Sequence, residues 1–241
     1  WRDQMPFLAT NGYRVIAPDM RGYGKSSKPP AVENYSQDEL TADIAALVAA
    51  VSPDKPVEML CGHDWGAFVA YAVASDYPGL CKRLAILNVP HARSFEKGLQ
   101  TWQQMLKSWY IFIFQLPVIP ELVIEFGSAF AVRTALQWDM NKSQKRLPPE
   151  VLQSHAEVFA AERWVSQGPI NYYRAALCGL WGGLDAGYLK AVKQTCRFFR
   201  QCKATRTLPP KGGGLGDDSV AVPVKVIWGV RDAYLGQEMA D

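Results

Sequence analysis

Residues 57–78 read VEMLCGHDWGAFVAYAVASDYP: a strand-like apolar run, a glycine-flanked aspartate, then an alanine-rich stretch of helical composition. A strand that turns into a helix within a few residues leaves little choice of architecture. The helix must pack back on the sheet its strand belongs to, which is how strand–helix units build an α/β layer. Gly62, Gly66 and Ala67 keep the turn free of bulk. The side chain at its tip, Asp64, is thereby pushed into the open at the N-terminus of the next helix, where the backbone dipoles favour a carboxylate. Aspartate there also has a simpler use, as the N-cap of the helix.

The neighbouring segments repeat the pattern. The opening WRDQMPFLATNGYRVIAPD reads as a helix leading to a strand over residues 13–19. SQDELTADIAALVAAV (36–51) predicts an amphipathic helix in which Ser36 is the N-cap and Glu39 completes a capping box. VEML before the turn and RLAILN (83–88) predict further short strands. Apolar strands alternating with helices imply a parallel sheet covered on both faces. After Asn88 the pattern changes to a long stretch rich in Trp, Phe and Gln with helical spacing, and strand character returns only at VPVKVIWG (222–229). The expected organisation is an α/β core over residues 1–90, a helical insertion over 91–219 and a return to the core over 220–241.

Composition excludes several functions. Lys and Arg number 26 against 23 Asp and Glu, a net charge of +3 with no long basic run, so there is no electrostatic footprint for nucleic acid. Cys61, Cys81, Cys178, Cys196 and Cys202 have neither disulfide-framework nor zinc spacing, and read as thiols in a reducing, intracellular setting. The most apolar run, 109–124, carries two prolines, Gln115 and Glu121, and does not read as a membrane span. The chain starts at Trp1 without an initiator methionine, already inside an element. It reads as a fragment, which leaves room for a membrane anchor upstream.

The identity of the tip residue narrows the chemistry. A carboxylate attacking an acyl group would form a reactive anhydride, whereas attack on a saturated carbon forms a stable ester. Asp64 as nucleophile therefore points to displacement at an epoxide or an alkyl halide, followed by hydrolysis of the ester.

APDMRGYGKSSKP, CGHDWGAFVAY, LNVPHA, YIFIFQLPVIPE, GPINYYRA and WGVRDAYLGQEMA follow one another in the order seen in a known family. The chain resembles the epoxide hydrolases of the α/β-hydrolase fold, most closely the animal type 3 and type 4 subfamily. That resemblance implies a mostly parallel sheet flanked by helices with an inserted helical cap. It makes Asp64 the nucleophile, gives Tyr110 and Tyr173 the task of hydrogen-bonding the epoxide oxygen, and makes Asp232 the acid that orients a water-activating histidine. Trp65 would offer its backbone N–H to the oxyanion, with its indole and Trp109 lining the pocket; His63 would support the turn or the oxyanion region. Tyr172, beside Tyr173, is the residue most easily confused with it. His91 and His155 do not match the family's base, which is expected beyond Asp232.

The resemblance implies no cofactor and no metal. Its partners would be a lipophilic epoxide and water, with Trp102, Trp109, Phe112 and Phe114 as apolar wall, in the cytoplasm or at the endoplasmic-reticulum membrane. The chain also departs from the family's pattern. The loop supplying the second oxyanion donor, the first strands, the last strand and the base are not among these residues, so the 241 residues alone are expected not to turn over. The basic and then glycine-rich stretch 187–219 is longer than the usual link. A haloalkane dehalogenase shares the aspartate elbow, and a non-catalytic ligand-binding relative would need no base; both stay open as alternatives.

Overall fold

A computed structural model describes residues 1–91, 101–125, 147–160, 165–180 and 220–227, together with residues 94, 95, 98, 133, 134, 136 and 137. The elements in chain order are α1 (Gln4–Thr10), a 3-10 turn (Val32–Tyr35), α2 (Gln37–Val51), β1 (Leu60–His63), α3 (Trp65–Asp76) and β2 (Leu84–Leu87). They continue with α4 (Trp102–Lys107), α5 (Trp109–Ile113), α6 (Ile119–Glu125), α7 (Pro149–Ala160), α8 (Gln167–Leu180) and β3 (Val224–Ile227). Asp232 and the stretch 187–219 lie outside the described residues.

The three strands form one parallel sheet in the order β1-β2-β3. Leu60 pairs with Leu84 and His63 with Leu87; on the other side of β2, Leu84 pairs with Val224 and Leu87 with Ile227. Strands adjacent in space but far apart in sequence require crossovers, and here the crossover from β1 to β2 is α3, while the one from β2 to β3 carries α4 to α8. Among the described residues between 91 and 219, every regular element is a helix.

α3 is the hub. Its sequence WGAFVAYAVASD is apolar nearly all round, as suits a helix buried on more than one side. One side, with Ala67, Ala70, Tyr71 and Ala74, packs on Leu84 and Ile86 of the sheet and on Val89 just beyond β2. The other, through Val69 and Val73, meets Tyr35, Leu40 of α2 and Tyr172 of α8. α2 starts where expected, because Ser36 accepts a hydrogen bond from the Glu39 N–H and satisfies one of the donors a helix start leaves open. It is held from outside by Arg21, whose guanidinium donates to both oxygens of Asp43 at 2.7 and 2.9 Å and approaches Glu39 at 3.3 Å.

Two expectations need correction. The run 13–19 is not a strand: it finds no ladder partner among the described residues, Tyr13 and Ile16 stay exposed, and propensity alone does not make a strand. The strand before the turn lies further along than VEML. Val57 makes an isolated bridge to Cys81, and the ladder proper runs from Leu60 to His63. Pairing with β2 overrides the poor strand propensity of Gly62 and His63, so that one residue, Asp64, separates strand from helix. On the parallel sheet itself, Cys61, His63 and all of β3 are exposed.

Candidate active site

The turn is tight for a steric reason. A Cβ on Gly62 would sit 2.5 Å from both the Ala67 Cα and the Gly66 oxygen, so the strand end and the first turn of α3 touch backbone to backbone. Gly66 itself is less constrained, since a Cβ there would meet only the Met20 Sδ, at 3.9 Å. Between them Asp64 takes φ 53° and ψ −129°. Positive φ is uncommon outside glycine and costs free energy on the order of 1–3 kcal/mol, which the packing on either side must hold in place. The simpler reading of Asp64 as a helix cap fails on geometry, because its side chain makes no capping hydrogen bond. The backbone does that work instead, with the Ala67 N–H donating to the Asp64 carbonyl at 2.9 Å.

Asp64 is exposed at the tip, and the next residue, Trp65, heads α3, where backbone N–H groups have no partner within the helix. Over this turn stands Tyr173 of α8. Its ring meets the Trp65 indole edge-on at 5.1 Å, with Tyr110 of α5 at 5.7 Å and Phe114 at 4.9 Å. Burial pushes the Tyr173 phenol well above the usual tyrosine range; the Asp64 carboxylate and Tyr110 add to this, and a hydrogen bond with the Trp65 side chain works against it. Tyr173 thus stays protonated, a hydrogen-bond donor within the field of Asp64.

The adjacent tyrosine goes elsewhere. Tyr172 is fully buried between Tyr23, Tyr35 and Trp65, at 5.4–5.5 Å from each, and its hydroxyl donates to the Arg21 carbonyl at 2.7 Å. The helix that presents Tyr173 and the segment that presents Tyr110 are clamped together by the next residue, Arg174. It donates to the carbonyls of Phe114 and Leu116 at 2.9 and 2.8 Å and to both oxygens of Glu121 at 2.6 and 3.2 Å. The Gln115 amide reaches the Tyr173 carbonyl at 3.5 Å.

The expected residues therefore divide. Asp64, Trp65, Tyr110, Tyr173 and Phe114 come together. Trp102, Trp109 and Phe112 are exposed, Trp109 at 61 % with an edge contact to Tyr110 at 6.5 Å. His63 ends β1 and is exposed. The His91 ring lies 5.2 Å from Tyr71, and His155 Nδ1 is 2.8 Å from the Val151 carbonyl of its own helix. One participant was missed in the sequence: Tyr23, whose phenol is raised by burial and then by Asp64. Its signal was its place in RGYG, where flanking glycines let a loop turn a large side chain inward.

Comparison with known proteins agrees with this architecture. The alpha/beta hydrolase fold family matches residues 1–239. Epoxide hydrolase 1 of Caenorhabditis elegans is 36% identical over 177 residues, 72% of this chain and 43% of that protein. Epoxide hydrolase 4 of Mus musculus is 30% identical over 245 residues, 100% of this chain and 58% of that protein. The chain thus spans about half the length of these relatives, at 43% and 58%. A solved structure described as novel epoxide hydrolases of the alpha/beta hydrolases superfamily in metagenomes from hot environments superposes with a TM-score of 0.69 at 28% identity, covering 99% of this chain and 72% of that one. With its parallel sheet, its aspartate-tipped strand–helix turn and a family match over nearly its whole length, the chain belongs to the alpha/beta hydrolase fold family.

Proposed function

We propose that this chain carries the nucleophile and the acid side of an epoxide hydrolase acting on a lipophilic epoxide. An Asp64 carboxylate oxygen attacks an epoxide carbon, the C–O bond breaks, and the developing alkoxide is hydrogen-bonded and then protonated by Tyr173 or Tyr110. A hydroxyalkyl ester on Asp64 results. Water attacks the ester carbonyl and gives one proton to the base, the Trp65 backbone N–H stabilises the oxyanion, and collapse expels the alkoxide, which takes that proton to become the vicinal diol. The remaining water proton leaves the Asp64 carboxyl and restores the tyrosinate to tyrosine, regenerating the carboxylate. The water is activated by a histidine that Asp232 orients, a role not assigned to His63, His91 or His155. Residues 91–219 act as the cap over the core segments 1–90 and 220–241.

The observation that carries this reading is the conjunction of a strained, non-capping aspartate with a protonated phenol in its field. A nucleophile alone would serve several reactions, whereas a buried phenolic donor facing it suits a leaving oxygen that stays attached to the substrate. The names of the relatives support the same chemistry.

The test uses the full-length gene product and a lipophilic epoxide. Asp64→Ala is expected to lower turnover by at least about a thousandfold, with an ester adduct trapped on Asp64 in the parent by rapid quench and mass spectrometry. Substantial retained hydrolysis in Asp64→Ala would sink the assignment. Faster halide release from a chloroalkane than epoxide opening by the parent would favour the dehalogenase alternative.

A further inference from the structure

Tyr173 can act on Asp64 only if α8 is rotated so that it, and not its neighbour, faces the turn. A tyrosine buried beside it bears on that rotation. Gly168, Asn171 and Tyr172 lie on one face of α8 at helical spacing, and all three are fastened to the loop over residues 21–35. A Cβ on Gly168 would fall 2.5 Å from the Gly22 oxygen and 2.7 Å from the Gly22 Cα, so the two backbones touch. Gly22 needs to be glycine in its own right, at φ +87°. Asn171 Nδ2 donates to the Pro30 carbonyl at 3.2 Å, and the Tyr172 hydroxyl donates to the Arg21 carbonyl at 2.7 Å. The loop is a firm base, because the Arg21 side chain is tied to Asp43 and also donates to the Asn34 carbonyl at 2.8 Å.

We propose that Tyr172 is a positioning residue for Tyr173: its hydroxyl on the Arg21 carbonyl, at the glycine-on-glycine contact of Gly22 with Gly168, sets the rotation of α8 that turns Tyr173 onto Trp65 above Asp64. A phenylalanine would fill the same space between Tyr23, Tyr35 and Trp65, so the hydroxyl is the part that needs an explanation. A turn of α8 by about 10° moves a side-chain tip by about 1 Å, and a misplacement of that size costs on the order of a hundredfold in rate. This inference rests on the reading of Tyr173 as the donor to the epoxide oxygen.

The experiment compares Tyr172→Phe, Tyr173→Phe and the double variant in the full-length gene product. Single-turnover alkylation of Asp64 is measured, and the Trp65 indole N–H resonance is followed by nitrogen-labelled NMR without substrate. Tyr172→Phe is expected to slow alkylation about tenfold or more in the parent and less than about twofold in the Tyr173→Phe background. It is also expected to move the Trp65 resonance toward its position in Tyr173→Phe. A general loss of packing would instead slow both backgrounds alike, and that result overturns the proposal. So does a Trp65 resonance unmoved by Tyr172→Phe. If Tyr173→Phe alone leaves alkylation unchanged, the role given to Tyr173 fails, and the Trp65 resonance decides the positional claim by itself.

Discussion

At the scale of single residues, the shape of the candidate site depends on a buried glycine. Gly62 lets the end of β1 meet the first turn of α3 at backbone contact, and that contact holds Asp64 at positive φ with its carboxylate outward. A methyl group there would push against backbone atoms, which cannot rotate away as a side-chain tip can. Gly62→Ala is expected to destabilise the fold by about 1–3 kcal/mol and to depress alkylation of Asp64 beyond what the stability loss explains. Chemical denaturation and single-turnover kinetics on the same preparation check this. Unchanged alkylation would mean that the turn tolerates a shift of α3 without moving its tip. Asp64 and Trp65 are legible in the sequence for this reason: the glycine spacing of a forced turn is a local property. Tyr23 was not, because its approach to Asp64 depends on how a loop far away in sequence is laid against α3.

At the scale of elements, α8 and the segment carrying α5 and α6 behave as one body because Arg174 joins them. Its guanidinium meets Glu121 in a two-pronged pair, and the two side chains are only 12% and 3% exposed. Two further donors satisfy carbonyls at the chain reversal between α5 and α6, close to Val118, which sits at φ 67°. Removing one member of a buried pair leaves the other charge without compensation. Arg174→Met is thus expected to cost about 3–5 kcal/mol, and the double variant Arg174→Met with Glu121→Leu less than the single one. Thermal melts of the full-length gene product decide this; a double variant as unstable as the sum of both changes would show that the pair is not the joint. Arg174→Lys is expected to be a poor substitute, since an ammonium cannot serve a fork of oxygens and two carbonyls at once.

At the scale of the whole molecule, the packing of α3 against α2 and α8 is an unusually phenolic core, and this has a consequence at high pH. Burial holds the Tyr35 hydroxyl up to about 12, with Arg21 pulling the other way, and raises Tyr172 further, by burial and by the neighbouring Tyr23 and Tyr35. In the unfolded chain both would ionise near the ordinary value of 10.0. Above that value the folded state holds protons that the unfolded state releases. Stability is accordingly fully present below about pH 10 and falls as pH rises, by up to about 1.4 kcal/mol per pH unit for each such tyrosine. Denaturant titrations across that range are expected to show the decline. Tyr35→Phe should flatten it between 10.0 and about 12 with little cost at neutral pH, because that hydroxyl is buried without a hydrogen-bond partner among the described residues. A slope unaffected by Tyr35→Phe would assign the alkaline loss to other groups.

What the sequence determined by itself is local. The start of α2 is set by Ser36 and Glu39 within one helical turn, and the elbow at Asp64 by glycines two residues to either side. The change from strand–helix alternation to helices after β2 is a matter of periodicity, which is also carried by short stretches of chain. What the tertiary structure decided is everything that needs a partner distant in sequence. The run 13–19 has the composition of a strand but no ladder to join among the described residues, and β1 lies three residues further along than propensity suggests because β2 chooses its register. Between Tyr172 and Tyr173 composition offers no choice at all. Adjacent side chains on a helix point about 100° apart, and only the seating of α8 on the loop over residues 21–35 determines which phenol enters the core and which faces Asp64.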